Sequence, residues 1–78
     1  MRPKQKRTVW AFATTTQALR AEEVCQDAGL PGRLIPTPAD IRADCGLAWC
    51  APPQAREAID KALQDGGVTP QTVCDRML

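Results

Sequence analysis

The sequence predicts one small α+β domain whose elements follow the order β-α-β-β-α-β. Three observations predict it: a length of 78 residues, which suits a single core, short apolar runs typical of strands, and two longer segments with apolar residues at helical spacing. Two βαβ-like halves joined by an irregular connection indicate a ferredoxin-like sandwich. In that sandwich one antiparallel sheet carries both helices on the same face.

The first half of the chain is typical of a strand followed by a helix. Residues 8–13 (TVWAFA) are β-branched, aromatic or small, which favours a strand. Thr14 is a typical N-cap residue, and together with Gln17 it fits a capping box. The helix then runs to about residue 28 and is ended by Gly29. Its buried stripe consists of Ala18, Ala21, Val24, Cys25 and Ala28.

Two short strands, a second helix and a last strand fill the second half. Residues 33–35 form a short strand, and Pro36 and Pro38 prevent its continuation because proline donates no ladder hydrogen bond. A loop over 39–44 leads to a third strand over 47–51 (LAWCA). The remaining elements are a helix from Pro52 or Pro53 to about residue 64, a Gly66-Gly67 stop and a last strand over 73–78.

The three aromatic residues leave one question about the sheet open. Strand alternation places Trp10 and Phe12 on one face of the first strand and Val9 on the other. With Trp49, these aromatics either belong to the core or lie on the sheet face that the helices leave uncovered. In the second case they form an apolar patch that favours a homodimer or another protein partner.

Charge is unevenly distributed along the chain. Residues 1–7 carry four basic and no acidic residues, whereas the remainder carries six basic and nine acidic residues, a net charge of −3. We expect residues 1–7 to be a basic flexible N-terminal tail and residues 8–78 to be the single domain. The tail lacks aromatic residues, and no basic RNA-binding octapeptide is present, which disfavours nucleic acid as a partner.

Composition excludes several classes of function. The chain has no His, which removes Ser-His-Asp and Cys-His catalysis and the commonest metal ligand. Its four cysteines form no Cys-x-x-Cys knuckle, so we expect neither a structural zinc site nor an iron–sulfur cluster. No apolar run approaches the ~20 residues that cross a bilayer, and no secretory signal is apparent. We therefore expect a cytoplasmic protein with free thiols.

Cys45 is the best candidate for chemistry among the four cysteines. It follows a polar loop and precedes Gly46, a position that is usually exposed and open to close approach by another molecule. A nucleophilic thiol needs exposure and a stabilised thiolate. Arg33 and Arg42 could lower its pKa, with Arg33 near the start of the third strand, whereas Asp44 would raise it.

The other cysteines have more ordinary interpretations. Cys25 lies on the buried stripe of the first helix and is read as a small core residue. Cys74 in the last strand is read as structural. Cys50 shares a strand face with Ala48 and is also read as structural, with a disulfide to Cys45 as an alternative.

The chain resembles the small selenium/sulfur carrier protein-like family over about residues 8–67. Three elements carry the resemblance: the Thr run over 14–16, the Arg-Leu-Ile-Pro-x-Pro segment over 33–38 and Cys-Gly-Leu-Ala over 45–48. The resemblance implies that Cys45 holds sulfur or selenium as a persulfide or selenopersulfide and passes it on. Ala39 stands where a basic residue commonly follows the second proline, and Cys50 is particular to this chain.

Three functions follow as hypotheses. The first is a stoichiometric sulfur or selenium carrier, rather than a true enzyme, that uses Cys45 with Gly46, Arg33 and Arg42 and exchanges its cargo with donor and acceptor proteins. The second is a non-catalytic interaction module that binds a partner through the aromatic residues. The third is a thiol redox switch that joins Cys45 to Cys50.

Overall fold

A computed structural model of the protein describes residues 4–41, 43, 44 and 46–78. Over these residues it confirms an α+β fold with the predicted element order and a four-stranded sheet. The elements are β1 (Lys6–Ala11), α1 (Thr15–Asp27), β2 (Arg33–Pro36), β3 (Leu47–Ala51), a 3₁₀ turn (Pro53–Ala55), α2 (Arg56–Asp65) and β4 (Thr72–Met77).

The sheet has the strand order β2-β3-β1-β4, and every neighbouring pair is antiparallel. The two halves of the chain therefore interleave: β3 lies between β1 and β2, and β1 lies between β3 and β4. In the register, Trp10 lies opposite Trp49, and Val9 lies opposite both Cys50 and Cys74. On the edge strand β2, Arg33 lies opposite Cys50.

The face of the sheet under the helices holds the aromatic residues. Trp10, Phe12 and Trp49 are 0%, 0% and 1% exposed, and they share one cluster with Ala18, Ala21 and Cys25 of α1 and Ile59 and Leu63 of α2. Both helices therefore pack on the same side of the sheet. Of the two placements that the sequence left open, the structure supports the core. These aromatic residues therefore do not form the exposed patch on which the homodimer and the interaction module were based.

The opposite face of the sheet is partly covered by the chain itself. Val9, Ala11 and Ala48 pack with Ile41, which comes from the connection between β2 and β3. Arg76 on β4 holds this connection, because its Nε donates a hydrogen bond to Asp40 Oδ2 at 2.6 Å. A segment expected to be a plain loop thus closes a second, smaller core.

Local signals account for several element boundaries, but β1 spans Lys6–Ala11 instead of the predicted residues 8–13, and β2 continues through Pro36. Thr14 caps α1 as predicted, since its Oγ1 accepts a hydrogen bond from the Gln17 backbone N–H at 3.1 Å. However, β1 begins at Lys6, because the strand continues to pair with β4 as far as Met77. Lys6 and Arg7, assigned to a tail from their charge, are therefore strand residues.

Neither helix in the described part of the chain has the length and apolar character that a membrane crossing needs.

Candidate functional site

Two of the residues predicted for the reactive centre, Cys45 and Arg42, lie outside the described residues, but their sequence neighbours Asp44 and Gly46 are described. The Asp44 backbone N–H donates to Gln71 Oε1 at 3.0 Å, and Gln71 Nε2 donates in return to Asp44 Oδ2 at 3.1 Å. This double hydrogen bond fixes Asp44 beside the start of β4. The carboxylate predicted to oppose a thiolate at Cys45 therefore has an amide partner of its own.

Gly46 is attached to the other side of the connection. The Thr37 backbone N–H donates to the Gly46 carbonyl at 2.9 Å, which extends the β2–β3 pairing by one step. A Cβ added at Gly46 would meet no atom within 4 Å. The space beside Gly46 is thus open, as close approach by another molecule requires.

Arg33 does not lie where the sequence interpretation put it. Because β2 and β3 are antiparallel, Arg33 is opposite Cys50, near the end of β3, and Pro36 is opposite Leu47 at its start. The four residue steps from Arg33 to Thr37 span about 13 Å of strand. The structure therefore brings Arg33 together with Cys50 rather than with Gly46.

Cys50 lines an open groove of about 960 Å³. It is only 6% exposed, and burial raises the pKa of its thiol above the ordinary value, while Arg7 and Arg33 act in the opposite direction. Arg7 is on β1 and Arg33 is on β2, so the two cations flank β3, which carries the thiol. Both of them line the groove together with Cys50.

The groove is lined by two cationic side chains and by apolar walls. Arg7 and Arg33 carry the only charged side chains that line it in the described part of the chain. Its walls include Pro31, Ile35 and Pro38. Sequence reasoning missed the role of Arg7 because a basic N-terminal run is typical of a tail. The signal that could have found it is the alternation of Arg7, Val9 and Ala11, which continues the strand by two residues.

Comparison with known families shows which family the chain belongs to. The family model described as "Putative Se/S carrier protein-like" matches residues 7–75, nearly the whole chain. The chain belongs to this Se/S carrier family. The match confirms the resemblance predicted from the sequence. No curated protein and no solved structure is significantly similar to the chain.

The remaining two thiols of this Se/S carrier family member are poorly placed for chemistry. Cys25 is fully buried in the cluster beneath α1, and desolvation raises the pKa of its thiol to about 11. Cys74 is half-buried on the same sheet face as Cys50, but β1 lies between them. Two strand spacings separate them by about 10 Å, beyond the ~7 Å between α-carbons that a disulfide allows.

No group of three potential metal-binding side chains of the His, Cys, Asp or Glu type occurs among the residues that the structure describes. Within that part of the chain, the candidate chemistry is that of individual thiols and of the cations beside them.

Proposed function

We propose that this protein is a sulfur or selenium carrier that holds the element on Cys45 as a persulfide or selenopersulfide. The observation that carries the proposal is the family match over residues 7–75, which includes the Cys-Gly-Leu-Ala element at 45–48. The family description names the cargo class, and Cys45 is the thiol of that element. In this proposal no metal or organic cofactor takes part.

The transfer chemistry balances without an oxidant. The Cys45 thiolate attacks the terminal sulfur of a donor persulfide, the donor S–S bond breaks, and the donor leaves as a thiolate that takes up a proton. A selenopersulfide donor delivers selenium in the same way. In the second half-reaction an acceptor thiolate attacks the terminal atom on Cys45, which leaves as a thiolate. The protein returns to its starting state, as a stoichiometric carrier must.

The environments of the other thiols support the choice of Cys45. Burial raises the pKa of both Cys25 and Cys50, so each is less ionised at neutral pH than an ordinary thiol. The thiolate is the nucleophile, and a protonated thiol reacts poorly. Beside Cys45 in sequence, Gly46 leaves space for a donor or acceptor protein, and Arg42 supplies the cation that we assign to the anionic persulfide.

The redox-switch hypothesis is less well supported than the carrier. Gly46 is held in line with β3 by its hydrogen bond from Thr37, so about 13 Å of strand separate it from Cys50. The step from Gly46 to Cys45 can shorten this span by at most about 3.8 Å. The distance that remains still exceeds the ~7 Å between α-carbons that a disulfide allows. A Cys45–Cys50 bridge would require this end of β3 to leave β2.

We extend the proposal to the fold and the setting of the carrier. The interleaved strand order, with both helices on one face, supports the ferredoxin-like assignment. Cys25, Cys50 and Cys74 are free thiols, which suits the reducing conditions of the cytoplasm. The partners in this proposal are the proteins that donate and accept the sulfur or selenium.

The test is covalent loading followed by mapping. The protein is incubated with a low-molecular-weight persulfide or selenopersulfide, and its intact mass is measured without reductant. We expect one reducible sulfur or selenium atom, mapped to the Cys45 peptide, absent in Cys45→Ser and retained in the matched control Cys74→Ser. Loss of the adduct to an added acceptor thiol completes the cycle. Labelling spread evenly over the four cysteines, or no adduct at all, would overturn the proposal.

A further inference from the structure

We propose that the groove over Cys50 is a binding site for a small organic anion, held through its carboxylate or phosphate group by Arg7 and Arg33. This site lies in the described part of the chain and does not depend on the chemistry proposed for Cys45.

The first observation is that two arginines lack a counter-ion. Among the described residues there are five arginines, and three of them form ion pairs: Arg20 with Glu23, Arg56 with Asp60 and Arg76 with Asp40. The other two, Arg7 and Arg33, have no carboxylate within ion-pair distance in that part of the chain, and both line the groove. The side chain of Arg7 donates only to the neutral Gln5 Oε1, at 2.8 Å.

The second observation is that the register directs both cations to one place. Arg33 is directly opposite Cys50 on β2, and Arg7 is on β1, two residues before Val9, which is opposite Cys50 on the other side. Residues two apart on a strand share a face. Both guanidinium groups act electrostatically on the Cys50 thiol. Two like charges around one point repel each other, and an anion between them removes that repulsion.

The third observation is that the groove fits a small molecule with an apolar part. Its volume of about 960 Å³ lies within the range of small-molecule sites, which combine apolar walls with a few polar groups. Ile35, Pro31 and Pro38 supply the apolar wall. A guanidinium group binds either a carboxylate or a phosphate through two parallel hydrogen bonds. No aromatic residue lines the groove in the described part of the chain, which disfavours nucleic-acid bases.

The binding test uses three matched aromatic probes and an inorganic one. Benzoate and phenyl phosphate carry the two anionic groups, benzamide is the neutral control, and inorganic phosphate lacks the apolar part. Amide chemical shifts are followed during titration of the full chain. We expect saturable shifts at Arg33 and Cys50 with at least one of the two organic anions, none with benzamide, and weaker binding of inorganic phosphate. The tighter of the two organic anions identifies the anionic group.

Variants connect the binding to the two cations. In Arg7→Gln/Arg33→Gln we expect the affinity for the bound probe to fall by about ten-fold or more, the loss of two charge-assisted contacts. Arg20→Gln, which removes a cation in an ion pair on α1, should leave the affinity unchanged. Arg7→Lys/Arg33→Lys keeps the charge and should retain part of the affinity. Thermal melting of each variant checks that it is folded.

A second readout uses the thiol in the groove. A bound anion should slow alkylation of Cys50 by iodoacetamide, without changing the rate at Cys74, when both are measured by peptide mapping. Four outcomes would each overturn the proposal: no saturable shift with either organic anion, equal binding of benzamide, equal binding of inorganic phosphate, or an affinity that survives Arg7→Gln/Arg33→Gln.

Discussion

Gly32, at the entrance to β2, offers a direct test of how tightly the groove is supported. Its φ of +133° is one that side-chain-bearing residues rarely adopt. A Cβ added there would lie 2.6 Å from Trp49 Nε1 and 2.7 Å from the Cys50 carbonyl oxygen. Neither atom can move easily, because Trp49 is 1% exposed in the core and the carbonyl belongs to the backbone of β3. Gly32→Ala therefore adds both backbone strain and a steric clash.

The expected cost follows from these two terms. Backbone strain at such a φ is worth about 1–2 kcal/mol, and overpacking a fixed core costs about 1–3 kcal/mol, so we expect a loss of about 3 kcal/mol. For a domain of this size that corresponds to a fall in Tm of about 15 °C. It is also a large part of a total stability of about 4–12 kcal/mol.

The assay is urea unfolding followed by tryptophan fluorescence, with Gly29→Ala as the matched control. Gly29 also has a positive φ, +68°, but a Cβ added there meets no atom within 4 Å. The control should therefore lose only about 1 kcal/mol, the cost of the backbone conformation. If Gly32→Ala were as mild as Gly29→Ala, the close contact with Trp49 and Cys50 would be refuted.

Three further predictions concern buried polar groups. The Cys25 thiol stays protonated in the folded state and ionises on unfolding, so the free energy of unfolding should fall as the pH rises from about 9 towards about 11. The slope should approach about 1.4 kcal/mol per pH unit. In urea unfolding, the free energy of unfolding of Cys25→Ala should depend less steeply on pH over this range. The Thr8 hydroxyl donates to Asp75 Oδ1 at 2.7 Å and is the main cause of the lowered pKa of that carboxyl, so stability is lost as the pH falls through this lowered pKa. Acid titration of Thr8→Val should show a smaller loss, and an unchanged acid limb would contradict this. Trp10 Nε1 donates a hydrogen bond to a carboxylate on α2, whereas Trp49 Nε1 has no partner among the described residues. Trp10→Phe should therefore lower the stability by about 1 kcal/mol more than Trp49→Phe does, as measured by thermal unfolding. A larger loss in Trp49→Phe would refute this prediction.

Local signals were enough to predict the elements and their order. The Thr14 cap and the helical stripe through Cys25 place α1 as the sequence indicates. The prediction that Pro36 stops β2 is wrong, because Pro36 pairs with Leu47 and the strand includes it. The placement of Trp10 and Trp49 could not be decided in the same way. Alternation shows that residues share a face but not which face the helices cover, since that depends on contacts between distant segments.

The groove illustrates a different limit of sequence reasoning. Arg7, Arg33 and Cys50 are far apart in the sequence, and only the antiparallel register brings them together. The sequence also did not indicate that Arg7 is a strand residue, because a run of basic residues at an N-terminus is typical of a solvated tail. Likewise, no periodicity predicts that Ile41 covers the open sheet face, since the covering segment has no regular structure.

The position of Arg33 separates two roles that the sequence interpretation combined in one site. A cation lowers the pKa of a thiol effectively only within about 4–6 Å, and Arg33 enters β2 about 13 Å from the Thr37–Gly46 hydrogen bond. The charge of Arg33 is instead available to the groove, where it faces Cys50 and has no ion-pair partner among the described residues. In the proposed carrier, the cation assigned to the anionic persulfide is Arg42. Removal of Arg33 thus tests the groove, and removal of Cys45 tests the carrier, so that failure of one proposal leaves the other standing.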